Sequence, residues 1–254
     1  MTSKERLAAL TDCTACHLCR EGNRGPTQWS GPEDSPLMFV GEGPGGVEDE
    51  YGVPLVGPSG KLLDKALWSV GLTRDRIYVT NIVKCRPHNN RTPTLDEGRF
   101  CADLHLRAEI EAVKPAVIVC LGKVAFQYFY GSAGSIMRNR GKWLDYEKIP
   151  VMPTYHPAFL LRQTGKELVE SKWQVYYDLK SAVEKAQKAR PGYVLKSEFI
   201  PDLLQTYNYL KKERSAGCKR RKARAKARTD NNWEEGGFLH QKSNEVINAI
   251  KTVK

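Results

Sequence analysis

Three polar motifs in the sequence each follow a short apolar run, and each carries residues that can bind or react. The first is GEGPGG at residues 41–46, with three acids at residues 48–50. The second contains Asn81, and the third contains His156 in the order Tyr-His-Pro-Ala. If the apolar runs are parallel strands, the motifs meet at the carboxyl edge of one sheet, where open α/β sheets bind their ligands. The pattern therefore predicts a ligand site built from a glycine-rich turn, an amide and an imidazole.

The glycine-rich turn does not fit the common phosphate-binding motifs. A P-loop requires GxxxxGK[ST], which the chain lacks. The glycines do match GxGxxG, but Pro44 lies inside the turn and acids follow where a pyrophosphate would sit. Each polar residue also has a structural alternative: Asn81 could cap a turn, His156 could be a hydrogen-bonded loop residue, and the acids could form a solvated face.

The cysteines have the spacing of metal ligands. Cys13, Cys16 and Cys19 occur as C-x2-C-x2-C, and Cys85 and Cys101 follow far downstream as C-x15-C. Four converging thiolates suit an iron–sulfur cluster or a structural zinc ion, and their softness does not separate the two metals. Burial as small apolar residues is the alternative, and Cys19 is either a fifth candidate or a bystander.

The composition excludes several classes of protein. With 41% hydrophobic residues the chain can fill a core, so wholesale disorder is excluded. Its apolar runs are far shorter than the roughly 20 residues of a membrane-spanning helix, and the first residues carry no apolar secretion signal. We therefore expect a cytoplasmic protein without membrane contact, in which cysteines bind metal or are buried rather than forming disulfides.

Strand-like and helix-like patterns alternate along the chain. The strand candidates are residues 36–41, 77–83, 116–122 and 150–155, and the helix candidates are residues 60–70, 94–113, 123–130 and 168–189. Short apolar runs bounded by turn residues are typical of strands buried on both faces. The alternation predicts an α/β fold with three αβα layers around a central four-stranded parallel sheet.

A basic extension is expected to follow the folded domain. We predict one domain at residues 1–189 and a helical or disordered extension at residues 190–254. Residues 211–228 hold ten basic residues and one acid, and so account for most of the net charge of +11. Such a tract is typical of an arm that binds nucleic-acid phosphates, although a solvated tail is the alternative.

Taken together, these motifs resemble the family 4 uracil-DNA glycosylases over residues 1–189. The matching pieces, in the family's order and spacing, are Cys13-x2-Cys16, residues 41–67, residues 80–93, Cys101 and residues 156–162. The resemblance implies a [4Fe–4S] cluster held by four cysteines, with Cys19 as a bystander. Those four cysteines are Cys13, Cys16, Cys85 and Cys101.

The resemblance also implies a reaction: hydrolysis of the bond between uracil and deoxyribose in DNA, which begins base excision repair and leaves an abasic site. The base must first leave the helix for a pocket. His156 would donate a hydrogen bond to the uracil oxyanion, and Glu48 would position water or stabilise the sugar cation. The residues expected to bind uracil are Gly41, Glu42, Gly43, Leu55, Asn81 and His156.

One position departs from the family pattern. Leu55 stands in Pro-Leu-Val-Gly, where the family carries a phenylalanine that stacks on the base. Leu55 therefore favours one alternative, a superfamily member with altered base preference. A second alternative, from a different class, is a non-catalytic iron–sulfur protein that binds nucleic acid. The partner expected in the leading hypothesis is uracil-containing DNA, bound by a monomer.

Overall fold

The computed structural model describes residues 1–131 and 134–195. Its centre is one five-stranded sheet. The strands are β1 (Leu37–Gly41), β2 (Tyr78–Asn81), β3 (Val117–Leu121), β4 (Leu144–Tyr146) and β5 (Ile149–Thr154). The predicted α/β class and all four predicted parallel strands are confirmed.

The strands lie in the order β2-β1-β3-β5-β4. β1 pairs in parallel with both β2 and β3, and β3 pairs in parallel with β5. In chain order, β2 is added on one side of β1, and β3 and β5 are then added on the other side. The crevice between the carboxyl ends of β1 and β3 is the switch point at which such sheets bind ligands.

The edge strand β4 was not predicted. It pairs antiparallel with β5 through a two-residue turn at Glu147 and Lys148, both with positive φ. Positive φ at both turn residues is typical of the tight two-residue hairpin turn, and Asn-Gly or Asp-Gly is the usual sequence signal for that turn. Because the turn lacks glycine and β4 is only three residues long, nothing in the local residue pattern indicated a fifth strand.

Helices connect and flank the strands. In chain order they are α1 (Ser3–Thr11), α2 (Gly46–Tyr51), α3 (Pro58–Ser69), α4 (Leu95–Cys101), α5 (Arg107–Val113), α6 (Gly122–Tyr130), α7 (Ile136–Asn139), α8 (Pro157–Leu160) and α9 (Gly165–Ala189). Thr94 and Glu97 form the expected capping box at the start of α4. The single helix predicted over residues 94–113 is divided by a π-helical turn, Ala102–Leu106, directly after Cys101.

The sheet buries both faces, which explains why its strands read as continuous apolar runs. Leu37 and Phe39 of β1 pack in a core shared with α3 and α9, whereas Met38 and Val40 pack on the opposite side with α5 and α6. Successive strand residues point to opposite faces, so two cores are built from one run. The three-layer arrangement is therefore confirmed.

The folded part continues a few residues past α9. The Tyr193 hydroxyl donates to the Arg76 carbonyl, and Leu195 packs against the α3–α9 core. The division into residues 1–189 and 190–254 stays a prediction, and the basic tract lies outside the described residues. Within residues 1–131 and 134–195, none of the helices combines the length and the apolar character needed to cross a bilayer.

Candidate functional site at the carboxyl edge of the sheet

A cleft of about 690 Å³ opens at the carboxyl edge of the parallel strands. Its walls come from the loop after β1, the loop after β2, the start of α6 and the segment around α8. Among the predicted site residues, Glu42, Gly43, Glu48, Leu55 and His156 all line it. The fold therefore gathers these residues at one place, although they lie up to 114 positions apart in the sequence.

Asn81 lies behind this wall, at Gly41. The two residues are partners in the β1–β2 register. A Cβ atom on Gly41 would fall 2.4 Å from Asn81 Oδ1 and 3.7 Å from Leu55 Cδ1. The close approach therefore requires glycine, and it places the amide next to the side chain of Leu55.

The Asn81 amide is buried away from water and from other polar groups. The residue is 2% exposed, and neither Oδ1 nor Nδ2 finds a hydrogen-bond partner within the part of the chain that the structure describes. Burying an amide without partners costs roughly 1–3 kcal/mol. A donor and an acceptor held ready in this way are typical of a ligand-recognition group.

His156 caps α8, and the cap determines which ring nitrogen carries the proton. Nδ1 accepts a hydrogen bond from the Ala158 backbone N–H at 3.1 Å. The neutral ring must then carry its proton on Nε2. Burial, with a contribution from the Arg162 charge, lowers the pKa of His156 to about 4. At neutral pH the residue is therefore an uncharged imidazole with an N–H available for donation.

His156 and Asn81 approach the switch point from its two sides. A Cβ atom on Gly122 would lie 2.7 Å from His156 Cβ, so the histidine crosses directly over Gly122 at the end of β3. Asn81 approaches Gly41 at the end of β1 in the same way. Because β1 and β3 are neighbours about 5 Å apart, the two glycines that these side chains approach lie at the ends of adjacent strands.

Glu42, inside the glycine-rich turn, and Glu48, which follows it, have different environments. The Glu48 carboxylate accepts backbone hydrogen bonds from Gly45, Val56 and Gly57 at 2.7–3.1 Å. It therefore ties the loop after β1 to the start of α3.

Glu42 is the more available carboxylate of the cleft. Its side chain makes no hydrogen bond within the described residues, and burial raises its pKa while the Arg162 charge lowers it. The sequence analysis predicts a reactive role for Glu48 and a uracil-binding role for Glu42, and both roles stay predictions. Both residues line the cleft, but only the Glu48 carboxylate is tied to backbone N–H groups.

Leu55 stands in a strained backbone conformation. Its φ is +52°, a region that leucine rarely adopts. Arg74 fixes this conformation, because its guanidinium donates to the Leu55 carbonyl at 2.6 Å and to Asp64 at 2.5 Å. The side chain is thereby presented to the cleft beside Gly41.

The arginines near the cleft differ in their availability. Arg91 pairs with Glu21 and Glu97 in a network that also includes His17, so it connects the N-terminal loop to α4. Arg86 donates to Asn90 Oδ1 at 2.8 Å. Arg162 lines the cleft, and its charge acts on both Glu42 and His156.

A buried clamp behind His156 has no counterpart among the sequence motifs. Asp178 of α9 accepts hydrogen bonds from Thr154 at 2.7 Å and from the Arg140 guanidinium. The Arg140 guanidinium lies over the Tyr155 ring, 5.6 Å from its centroid. The clamp therefore holds the end of β5, directly before His156. Its members are far apart in the sequence and form no motif.

The predicted cysteines converge on a second site. Cys13, Cys16, Cys19, Cys85 and Cys101 line one small cavity together with apolar neighbours. The first three come from the loop after α1, Cys85 from the loop after β2, and Cys101 from the end of α4. Tertiary structure thus brings together thiols that the sequence only suggested could meet.

The surroundings of these thiols fit a metal centre. The Lys84 backbone N–H donates to Cys101 Sγ at 3.3 Å, and His105 Nε2 lies 3.3 Å from Cys13 Sγ. Burial and the neighbouring thiolates raise the pKa of Cys16 to about 12 and raise that of Cys85 as well. Such thiols stay protonated unless a metal cation balances their charge, so metal binding would release protons.

A buried ion pair braces the two downstream cysteines. Lys84 Nζ lies 2.7 Å from Glu109 Oε1, and both side chains are 2% exposed. Lys84 directly precedes Cys85, and Glu109 lies in α5, beyond the π-helical turn that follows Cys101. The pair therefore fixes the segment that carries Cys85 against α5, the helix that follows Cys101 and the π-helical turn.

The fold and site together define an α/β protein with a recognition cleft at a strand switch point and a separate cysteine centre. The family model "Uracil DNA glycosylase superfamily" matches residues 28–180. The chain therefore belongs to the uracil DNA glycosylase superfamily.

Several curated proteins are similar to this chain. A "Type-4 uracil-DNA glycosylase" of Thermotoga maritima is 45% identical over 162 residues, which cover 61% of this chain and 81% of that protein. Proteins of the same name from Archaeoglobus fulgidus and Sulfurisphaera tokodaii are 42% and 41% identical, over 63% of this chain and 82% and 77% of their own lengths. These similarities confirm the family indicated by the sequence motifs.

Proposed function

We propose that this chain is a uracil-DNA glycosylase that hydrolyses the bond between uracil and deoxyribose and leaves an abasic site for repair. The observation that carries the proposal is the buried Asn81 amide, without a partner in the described residues, at the end of β1, while His156 crosses the end of the neighbouring strand β3. The curated relatives support it through the activity that their names state.

Asn81 would select the base. Uracil presents an acceptor at O4 next to a donor at N3–H, and an asparagine amide offers the complementary donor and acceptor. Cytosine presents a donor and an acceptor in the reverse order, so an amide held in the orientation that fits uracil is mismatched at both atoms. Since the amide is already desolvated within the described structure, a mismatched base would recover none of that cost.

His156 would stabilise the leaving base. Breaking the bond places negative charge on the uracil carbonyl oxygens, and a fixed donor aimed at that charge lowers the barrier. The Ala158 N–H holds the ring so that Nε2 carries the proton. The lowered pKa keeps the ring neutral, so His156 donates a hydrogen bond without transferring its proton.

Glu42 would act on the sugar side of the bond. Departure of the base leaves positive charge on the deoxyribose, which a nearby carboxylate stabilises and which a positioned water then attacks. Glu42 lines the cleft, and its carboxylate is unpaired among the described residues. Glu48 would contribute its negative charge and hold the loop through three backbone bonds.

We propose a [4Fe–4S] cluster held by Cys13, Cys16, Cys85 and Cys101. A cluster of this type takes four thiolates, and hydrogen bonds to sulfur are among the features that tune it. Both are supported by the cavity and by the Lys84 N–H. When bound, the cluster would crosslink the N-terminal loop to the segment between Cys85 and Cys101. We further propose that the protein is cytoplasmic, since reduced thiols are needed as ligands. We also propose that it acts as a monomer.

Base release is the direct test. Purified protein is incubated with a uracil-containing oligonucleotide, and alkali then cleaves any abasic site. We expect cleavage with uracil and none with thymine at the same position. Asn81→Ala and His156→Ala should each lower kcat/KM by about 10²–10³-fold while the melting temperature stays close to that of the parent. Intact uracil strands after incubation with the parent protein would refute the proposed activity.

A second measurement tests the cluster. We expect a brown protein with about four iron and four sulfide per chain. A colourless preparation that contains zinc would instead favour the structural zinc ion that the thiol ligands also allow.

A further inference from the structure

The cysteine centre contains one more thiol than four-thiolate ligation uses. Cys19 lines the same cavity as the four proposed ligands. Any part that Cys19 plays in ligation depends on the proposed iron–sulfur centre. Its position in the cavity and its hydrogen bond to the Cys16 backbone define that part.

Cys19 is held directly beside Cys16. Cys16 precedes the 3₁₀ helix His17–Arg20, which contains Cys19. Cys16 is the N-cap of this helix and has extended backbone, so Cys19 lies one turn after it. The Cys19 Sγ–H donates to the Cys16 carbonyl at 3.0 Å. The thiol is thus attached to the ligand-bearing turn rather than extended into solvent.

Cys19 also shares the cavity with proposed ligands from the other chain segment. Cys85 lines the cavity from the loop after β2 and Cys101 from the end of α4. Cys19 therefore lies at one cavity with thiols from both chain segments, as a ligand of the same centre would.

We propose that Cys19 is a reserve ligand that replaces Cys16 on the cluster. In the exchange the bond between iron and Cys16 breaks and a bond between iron and Cys19 forms. Cys19 gives up its thiol proton as it binds, and the departing Cys16 thiolate takes up a proton. The exchange therefore changes neither net charge nor oxidation state, and it needs no other reactant.

Iron content of the full-length holoprotein tests the exchange. Cys16→Ser should retain at least half of the parent's iron and sulfide, because Cys19 is present. Cys16→Ser/Cys19→Ser should lose nearly all of it, as should Cys85→Ser. Cys19→Ser alone should match the parent.

The matched control removes a second thiol elsewhere. Cys120 is fully buried in β3, outside the cavity, so Cys16→Ser/Cys120→Ala should keep as much iron as Cys16→Ser. Two results would overturn the proposal: loss of iron from Cys16→Ser to the level of Cys85→Ser, or retention of iron by Cys16→Ser/Cys19→Ser. Absence of iron from the parent would overturn the cluster itself and is distinguished by that single measurement.

Alkylation gives a second measurement on the folded holoprotein. Iodoacetamide followed by peptide mass spectrometry should label Cys19 in the parent and not the four ligands. In Cys16→Ser, Cys19 should become at least tenfold less reactive until a chelator removes the iron. Equal labelling of Cys19 in both proteins would contradict the exchange, whatever the iron content.

Discussion

At the scale of single residues, backbone contacts fix His156, Glu48 and Leu55 in the cleft. The Ala158 N–H fixes the tautomer of His156, and three backbone N–H groups fix the Glu48 carboxylate. The Arg74 guanidinium fixes Leu55 through its carbonyl. Groups held in this way need little rearrangement when charge develops in the reaction, which is the source of electrostatic catalysis.

The residue at position 55 should limit the reaction. Leu55→Phe adds an aromatic face next to Gly41, and stacking on a base contributes about 1–3 kcal/mol. We therefore expect kcat/KM on a uracil oligonucleotide to rise roughly 5- to 150-fold. Leu55→Met is the control, since it keeps the apolar volume without a ring and should give no rise. No gain from phenylalanine would show that position 55 does not lie over the base.

The pH profile should show no titration of an ordinary histidine. Burial lowers the pKa of His156 from 6.5 to about 4, so the ring stays neutral throughout pH 5–8. Single-turnover rates on single-stranded substrate should therefore be free of a step near pH 6.5, and the His156 contribution should be lost only as pH falls towards 4. A midpoint near 6.5 that disappears in His156→Gln would contradict the neutral-donor role.

Stability depends on the same pKa difference. Between pH 4 and 6.5 the unfolded chain binds a proton at His156 that the folded chain excludes. The free energy of unfolding should therefore decrease as pH falls through this range. His156→Gln should show a smaller decrease, measured by denaturant unfolding at a series of pH values.

At the scale of elements, the cleft depends on how strand ends are held against helices. Thr154 ends β5, and its hydroxyl is tied to Asp178 of α9. On the other side of the sheet, Lys84 after β2 is tied to Glu109 of α5. Each connection fixes a strand end that leads into a residue with a proposed role, His156 in one case and Cys85 in the other.

Breaking the α9 clamp should reduce both stability and activity. Asp178→Asn leaves the partly buried Arg140 guanidinium without its charge partner, which costs about 1–3 kcal/mol of unfolding free energy. We expect kcat to fall further than KM rises, because His156 loses its support rather than a substrate contact. Lys180→Ala, an exposed change on the same helix, is the control. Unchanged kcat in folded Asp178→Asn would show that the clamp acts on stability alone.

At the scale of the whole molecule, charge is unevenly distributed. The folded domain is close to balanced, whereas residues 211–228 carry ten bases and one acid. Lysine and arginine contacts to phosphates release counterions, so they raise affinity for any DNA sequence and make it depend on salt. The tract is therefore expected to prolong contact with DNA without affecting base selection.

Deletion of residues 211–254 should flatten the salt dependence of DNA binding. Each lost phosphate contact should reduce the slope of log affinity against log salt by about 0.7–0.9. Deletion of residues 229–254 alone keeps the basic tract and should leave the slope unchanged. Fluorescence anisotropy with a labelled oligonucleotide at several salt concentrations measures both. Equal slopes for all three proteins would exclude a phosphate-binding arm.

The sequence by itself determined the chemistry that this protein carries. Apolar runs of strand length, turn residues at their ends and clustered cysteines are local features, so they predicted the parallel sheet, the Asn81 and His156 motifs and a thiolate metal centre. The hairpin strand β4 was missed because its turn uses Glu147 and Lys148 instead of glycine.

Only the tertiary structure decided how those groups are used. Which glutamate stays available and whether Cys19 reaches the cysteine cavity depend on contacts between residues far apart in sequence. Which nitrogen of His156 carries a proton depends on the backbone conformation at Ala158. Glu42 and Glu48 carry the same carboxylate, and the sequence does not show which of the two stays free of backbone hydrogen bonds. They differ because the backbone of Val56 and Gly57 folds onto one carboxylate and not the other, and no local pattern encodes that packing.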